Sequence, residues 1–302
     1  MPIVTPPTVA EAGARARSPQ PAPPPAPELP RANRVIAIPD FELGDRLTPA
    51  QVDFLETYGF IRFRGFVPRA RARALYGAVL EVDRALVASG REVMKGVPLI
   101  FGKREDGTRY VQRIPFASLQ SPALHELLLD PRFKAILDVA GPGYRIGEEE
   151  RDGMVINRFR NEPGAKYKRL GWHTDSLRDL FYLERPRRYL NVGFYFTDSP
   201  LEVGGLRVLP CTHHQPISSM LTRKAYFLDD QPDPHELAIT AEAGDLTLHD
   251  GRIWHRTALA TTRGEESERC VSYLPLMDGP LKRKHEGSAT PFYFRLKSLV
   301  GY

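Results

Sequence analysis

Apolar positions recur at helical spacing early in the chain and at two-residue spacing later, and that switch divides the molecule. Thr48-Pro49-Ala50-Gln51 has the form of a capping box with proline at the first helical position; Val52, Phe54 and Leu55 follow at helical spacing, and Gly59 is the predicted stop. The period then falls to two over Phe60-Ile61-Arg62-Phe63-Arg64-Gly65-Phe66, which predicts a strand. A second helix is predicted from Pro68 toward Ser89-Gly90. A third begins at Ser121-Pro122, runs through LHELLLD, is interrupted by Pro131 and resumes over FKAILDVAG.

After Gly143 the chain is built of short β-rich runs bounded by glycine, proline, aspartate or asparagine: MVINRFR, RYLNVGFYFTD, LRVLP, ELAIT, DLTLHD and RCVSYLPL. Their spacing predicts a mainly β, α+β fold, a sandwich or barrel fed by an N-terminal helical layer. The segment from His213 to Glu236 is long, polar and broken by prolines, so it is expected to be a connection rather than core. Residues 1–30 hold ten prolines and few bulky apolar groups, so residues 1–34 are expected to be a disordered or polyproline tail. Residues 35–302 are expected to form a single domain.

Composition narrows the function classes. No apolar run approaches the roughly 18 residues that span a bilayer. Two cysteines, Cys211 and Cys270, form neither a C-x-x-C pair nor a disulfide framework, and the chain shows no secretory leader, so a cytoplasmic location is expected. The net charge of +5 raises the question of nucleic acid. The densest basic groups, such as Arg69/Arg71/Arg73 and Arg185/Arg187/Arg188, lack the aromatic alternation of a stacking platform. No nucleic-acid partner is expected, and an anionic small-molecule substrate suits the surplus better. Walker, dinucleotide-loop, G-x-S-x-G and H-E-x-x-H motifs are absent from the sequence.

The candidate chemistry lies in GWHTDS. If this stretch is a strand, His173 and Asp175 project from one face and converge. His255, beyond DLTLHD and a turn at Asp250-Gly251, is the best third ligand. Two histidines and one carboxylate on one side of an ion make the facial triad suited to iron(II) with open positions. A hydrogen-bonded His-Asp pair capping a strand end is the plainer alternative from these residues alone. His249 is expected to support the site or the core, and His213 and His214 to be structural or lid residues.

At this point the chain resembles the phytanoyl-CoA dioxygenase family of iron(II)/2-oxoglutarate oxygenases. LTPAQVDFLETYGFIRFRGF and SPALHELLLDPRFKAILDVAGP look like its N-terminal helices and strand. GWHTDS, GGLRVLPCTHH and GDLTLHDGRIWHRT follow in the family's order, so the resemblance covers roughly residues 45–276. It implies a double-stranded β-helix, or jelly roll, holding iron through His173, Asp175 and His255. It also implies consumption of 2-oxoglutarate and O2, and oxidation, most simply hydroxylation, of a C–H bond in a small molecule. A secondary metabolite is a plausible substrate class.

The family's anchor for the far carboxylate of 2-oxoglutarate maps to Arg269. That residue lies fourteen positions past His255, farther than in the family pattern, and TTRGEESE looks like the lengthened turn. Arg263, inside that turn, is expected to face solvent. Thr257 takes the place of a hydroxyl touching the same carboxylate, and Asn157 is expected to face the cosubstrate's other end. Asp175 fills the position that related halogenases leave small for chloride, which implies oxidation without halogenation. Two rival readings stay open: a non-catalytic metal-binding β-sandwich, and an oxygenase directed at nucleic acid.

Overall fold

The computed structural model describes residues 38–182 and 184–294. The proline-rich tail expected over residues 1–34, and the predicted start of structure near Val35, lie outside the described residues. Helix α1 (Pro49–Tyr58) begins on the capping box: Gln51 N donates to Thr48 Oγ1 (3.3 Å), and Thr48 N donates to Gln51 Oε1 (2.8 Å). It ends at Gly59, whose φ of 81° is left-handed. Strand β1 (Phe60–Phe63) is shorter than the predicted run, because Gly65 turns the chain and donates its N–H to Asp245 Oδ1. Helix α2 (Arg69–Ser89) buries Ala72, Leu75, Val79, Val82 and Leu86, one stripe at helical spacing. Helices α3 (Pro122–Leu128) and α4 (Phe133–Ala140) flank the predicted break.

The polarity pattern predicts no strand between α2 and α3, yet four lie there: β2 (Val93–Met94), β3 (Val97–Pro98), β4 (Ile100–Lys103) and β5 (Arg109–Ile114). β5 reads RYVQRI and buries Gln112 and Arg113, so apolar alternation is lost. Both polar side chains find partners from within the protein: Gln112 Nε2 donates to the Tyr167 carbonyl, and Arg113 pairs through Nη2 with Asp152.

The remaining strands are β6 (Arg145–Ile146), β7 (Val155–Phe159), β8 (Leu170–His173), β9 (Leu190–Tyr195), β10 (Gly205–Val208), β11 (Leu237–Ile239), β12 (Leu246–Asp250), β13 (His255–Ala258) and β14 (Arg269–Met277). The larger antiparallel sheet runs β1-β12-β9-β14-β7-β5-β4, with β6 on the end of β14. The smaller runs β11-β10-β13-β8. This is a mainly β jelly roll carrying an N-terminal helical layer.

Alternation sorts the faces of the larger sheet. Ile61, Phe63, Leu246, Leu248, Val192, Phe194, Leu274 and Ile156 join the stripe of α2 in the main apolar core. The opposite face is polar: register places Arg113 beside Asn157, Asn157 beside Val271 and Val271 beside Tyr195, while Asn191 pairs with His249. This face and the smaller sheet line one cavity.

Candidate metal centre and cosubstrate pocket

Strand pairing builds the centre. His173 closes β8, His255 opens β13, and the two are direct register partners, so their rings lie 4.1 Å apart. Each Nδ1 faces a carbonyl two residues back: Gly171 O at 2.8 Å for His173 and Ile253 O at 3.0 Å for His255. Donation there fixes the tautomer with Nε2 as the lone-pair nitrogen, the arrangement of a metal-ligating histidine. The His173 and His255 Nε2 atoms lie 3.9 and 3.8 Å from the Asp175 carboxylate. The three residues each offer a ligand atom within 4.8 Å of the others.

Asp175 does not reach this point by strand alternation. β8 stops at His173, and the chain turns through Thr174 into a 3-10 segment, Asp175–Tyr182. Ser176 fixes the turn: its N–H donates to Gly251 O and its hydroxyl to Arg187 O. Gly251 has to lack a side chain, since a Cβ there would meet the Tyr189 ring at 2.8 Å.

Two further residues hold the carboxylate. Asn191 Nδ2 donates to Asp175 Oδ2 at 2.9 Å, and His249 Nε2 lies 3.4 Å from the same oxygen. Burial pushes the Asp175 pKa up, but His255, His249 and His173 outweigh it and hold the carboxyl well below its ordinary range. Burial also lowers the pKa of His255, which favours the neutral, ligating imidazole.

The segment 213–236 is not the bare connection its polarity predicts. It contains α5 (Ile217–Thr222), buries Met220 and Phe227, and pairs with β8 through Trp172 N to Asp229 O and Phe227 N to Trp172 O. Gly171 permits this approach, because a Cβ there would sit 2.2 Å from Phe227 O. Phe227 then stacks on His173 at 4.4 Å between ring centres. Two apolar residues in a polar run leave no periodic signal, and only the packed fold reveals their place.

The Phytanoyl-CoA dioxygenase (PhyH) family model matches residues 55–265, the greater part of the chain. The chain belongs to the phytanoyl-CoA dioxygenase family. Family membership and the His-Asp-His cluster together make it an enzyme of the non-haem iron and 2-oxoglutarate oxygenase type. No curated protein matches the chain by sequence.

Solved structures share its fold. The epimerase SnoN, in complex with Fe3+, alpha-ketoglutarate and nogalamycin RO, is 18% identical with a TM-score of 0.55, over 79% of this chain and 86% of that one. The non-haem alpha-ketoglutarate-dependent carbocyclase SnoK from nogalamycin biosynthesis is 19% identical with a TM-score of 0.55, over 79% and 87%. HygX from Streptomyces hygroscopicus, with nickel and 2-oxoglutarate bound, is 18% identical with a TM-score of 0.54, over 79% and 89%.

In this phytanoyl-CoA dioxygenase family member, Thr257, two residues past His255 on β13, and Asn157 on β7 line the same cavity as the triad. Arg263 is exposed. Arg269 opens β14, fully buried, with its guanidinium stacked 4.3 Å from the Phe159 ring. It lies behind the cavity lining rather than on it. Burial lowers its pKa, opposed by the neighbouring Tyr273 and Tyr195, and Nε, Nη1 and Nη2 have no acidic partner and no well-formed hydrogen bond among the described residues. A buried guanidinium without an anion is costly, and a ligand carboxylate is the species that would satisfy it. The donor set therefore fits 2-oxoglutarate.

The sequence reading missed Tyr195, Tyr273 and Asn191. Their signal was available: each lies at even spacing from a site residue or from another member of the inward face of β9 or β14. Gly193 completes that face, since a Cβ there would meet Thr247 Oγ1 at 2.5 Å and the Tyr273 ring at 3.0 Å.

Proposed function

We propose that this oxygenase oxidises a C–H bond of a small organic molecule, with hydroxylation the simplest outcome, while 2-oxoglutarate becomes succinate and carbon dioxide. His173, Asp175 and His255 hold iron(II). Arg269 and Thr257 hold the far carboxylate of 2-oxoglutarate, and Asn157 faces its other end. The observation that carries this reading is the pairing of the His-Asp-His cluster with a buried arginine that has no counter-ion among the described residues.

When bound, the iron centre supplies dioxygen activation coupled to decarboxylation of the cosubstrate. The chain supplies geometry. Backbone carbonyls orient both imidazoles, and Asn191 donates to Asp175 Oδ2, fixing the carboxylate that would hold the ion. Phe227 and the aromatic wall beside it exclude water from the His173 side. SnoN and SnoK, an epimerase and a carbocyclase, support a second reading in which this site directs the same oxidising power to stereochemical inversion or ring closure.

The cavity holding the triad is lined by polar groups together with aromatic side chains, the lining of a small-molecule site. Surface cations are largely engaged: Arg69 with Asp198 and Glu242, Arg187 with Glu184, Arg188 with Glu56. That supports a small-molecule substrate over nucleic acid. No helix among the described residues is long and apolar enough to cross a membrane. The free cysteines Cys211 and Cys270 suit the cytoplasm, where we place the protein.

An anaerobic titration with iron(II) and 2-oxoglutarate tests the function. A weak visible charge-transfer band is expected, lost in His173→Ala, followed by slow succinate formation on admitting oxygen. Tight zinc binding with neither band nor succinate would identify a non-catalytic metal protein instead.

A further inference from the structure

The charges lining the cavity do not cancel evenly. Arg151 and Arg187 meet Asp179, Glu184 and Asp278, and Arg188 meets Glu56 and Asp250. Around Asp152 the count differs, because two guanidiniums share one carboxylate. Arg113 Nη2 donates to Asp152 Oδ2 and Arg178 Nη2 to Asp152 Oδ1, both at 2.6 Å. Burial alone would raise the Asp152 carboxyl, but Arg178 and Arg113 outweigh it and keep its pKa below the ordinary range, so all three groups are charged. Within this trio one positive charge is left over. Arg113 Nη1 and Arg178 Nε have no hydrogen-bond partner among the described residues.

Topology sets this pair close to the centre and apart from Arg269. Arg178 lies three residues beyond Asp175 in the 3-10 segment, where side chains three apart eclipse with a rise of about 6 Å. Arg113 is the register partner of Asn157, whereas Arg269 lies across β7, paired with Phe159. The pair therefore sits on the metal side of the cavity and is separate from the arginine assigned to the cosubstrate. Tyr293 and Phe294 also line the cavity there, with the Arg178 guanidinium 5.0 Å from the Tyr293 ring centre and Arg113 5.2 Å from that of Phe294.

We propose that Arg113 and Arg178 form the anion-binding end of the substrate site, and that the substrate is an organic acid whose carboxylate seats between them, its apolar or ring portion against Tyr293 and Phe294. This rests on the oxygenase reading of the cavity. A carboxylate matches the single surplus charge and accepts from both guanidiniums with its two oxygens. A phosphate ester shares the oxyanion chemistry but carries up to two charges. The substrate's oxidised carbon then lies a few bonds from its acid group, since Arg178 and Asp175 are one 3-10 turn apart.

Saturation-transfer NMR on the protein loaded with manganese(II) and 2-oxoglutarate tests this with three probes: phenylacetate, phenylacetamide and phenyl phosphate. Phenylacetate is expected to bind about tenfold tighter than the amide, and tighter than the phosphate ester. Arg113→Gln and Arg178→Gln should each weaken phenylacetate about tenfold while 2-oxoglutarate affinity, measured by calorimetry, stays within about twofold. Acid and amide binding alike, or the acid not binding at all, would overturn the proposal. Tighter binding of phenyl phosphate would overturn the carboxylate assignment. Variants that weaken 2-oxoglutarate and spare phenylacetate would give the arginines to the cosubstrate. The acid-amide comparison uses the unaltered protein and holds even if a variant fails to fold. An iron(II)/2-oxoglutarate band with no acid-amide discrimination sinks this inference alone; discrimination without the band sinks the oxygenase reading and leaves the anion site standing.

Discussion

Arg269 concentrates the tension between stability and function in one side chain. Its guanidinium is fully buried, without an acidic partner or a well-formed hydrogen bond among the described residues, and depressed in pKa by burial. A guanidinium does not give up its proton under ordinary conditions, so the ligand-free protein carries an uncompensated charge. Arg269→Met should therefore act in opposite directions on two measurements. The ligand-free variant is expected to be more stable by about 1–3 kcal/mol in urea unfolding. Its 2-oxoglutarate affinity, read by calorimetry, should fall about 100-fold with the loss of two charge-assisted hydrogen bonds. Loss of stability with unchanged affinity would show that Arg269 serves packing alone. By contrast Arg256, another buried arginine one residue past His255, is paired through two nitrogens with Glu236 on the outward face of its strand. Both positions are arginines beside site motifs, and only the orientation of each strand separates their roles.

At the scale of elements, the junction of α1 with the His213 loop shows how a cap and a histidine depend on one another. Gly59 ends the helix in the left-handed region, and a Cβ on it would lie 2.4 Å from His213 Nδ1. His213 Nε2 lies 2.9 Å from the Glu56 carbonyl as its donor, and Nδ1 is buried without a partner among the described residues. Burial accordingly pushes the His213 pKa down to about 4. A proton added to the folded state would have no acceptor at Nδ1, whereas the unfolded chain takes one near pH 6.5. Stability from this group is therefore complete above about pH 6.5, lost as pH falls toward 4 and constant below that, a span of roughly 3 kcal/mol. Urea midpoints measured across that window should fall more steeply for the native protein than for His213→Gln, which keeps the donor to Glu56. Equal slopes would remove His213 from the account. Gly59→Ala should cost more than about 1 kcal/mol at any pH, combining backbone strain with the clash.

For the whole molecule, the two sheets meet around a cavity whose polar lining is completed only when ligands occupy it. Binding that is confined to the folded state stabilises by mass action, about 2.7 kcal/mol at a hundredfold excess over Kd. For a chain of 302 residues that corresponds to a rise in Tm of about 4 °C. Scanning calorimetry with manganese(II) and 2-oxoglutarate together should show that rise, and chelation should reverse it. The effect of 2-oxoglutarate alone should be smaller, since part of its binding requires the ion. A Tm indifferent to both ligands would be incompatible with the site as built.

The sequence by itself determined the helical caps, most of the β runs, the order of the metal motifs and the identity of the His-Asp-His residues. These signals are local or follow a fixed period, and a capping box or an alternating run acts over a few residues. Only the tertiary structure decided that Asp175 reaches the centre through a 3-10 turn, that Phe227 from a polar loop stacks on His173, and that RYVQRI is a strand. It also decided that Arg113, Arg178 and Asp152, far apart along the chain, share one charge cluster. Such placements depend on backbone approaches at Gly171 and Gly251 and on buried polar groups meeting partners from distant segments. The energy of those contacts exists only once the two sheets have come together, so no window along the chain contains it.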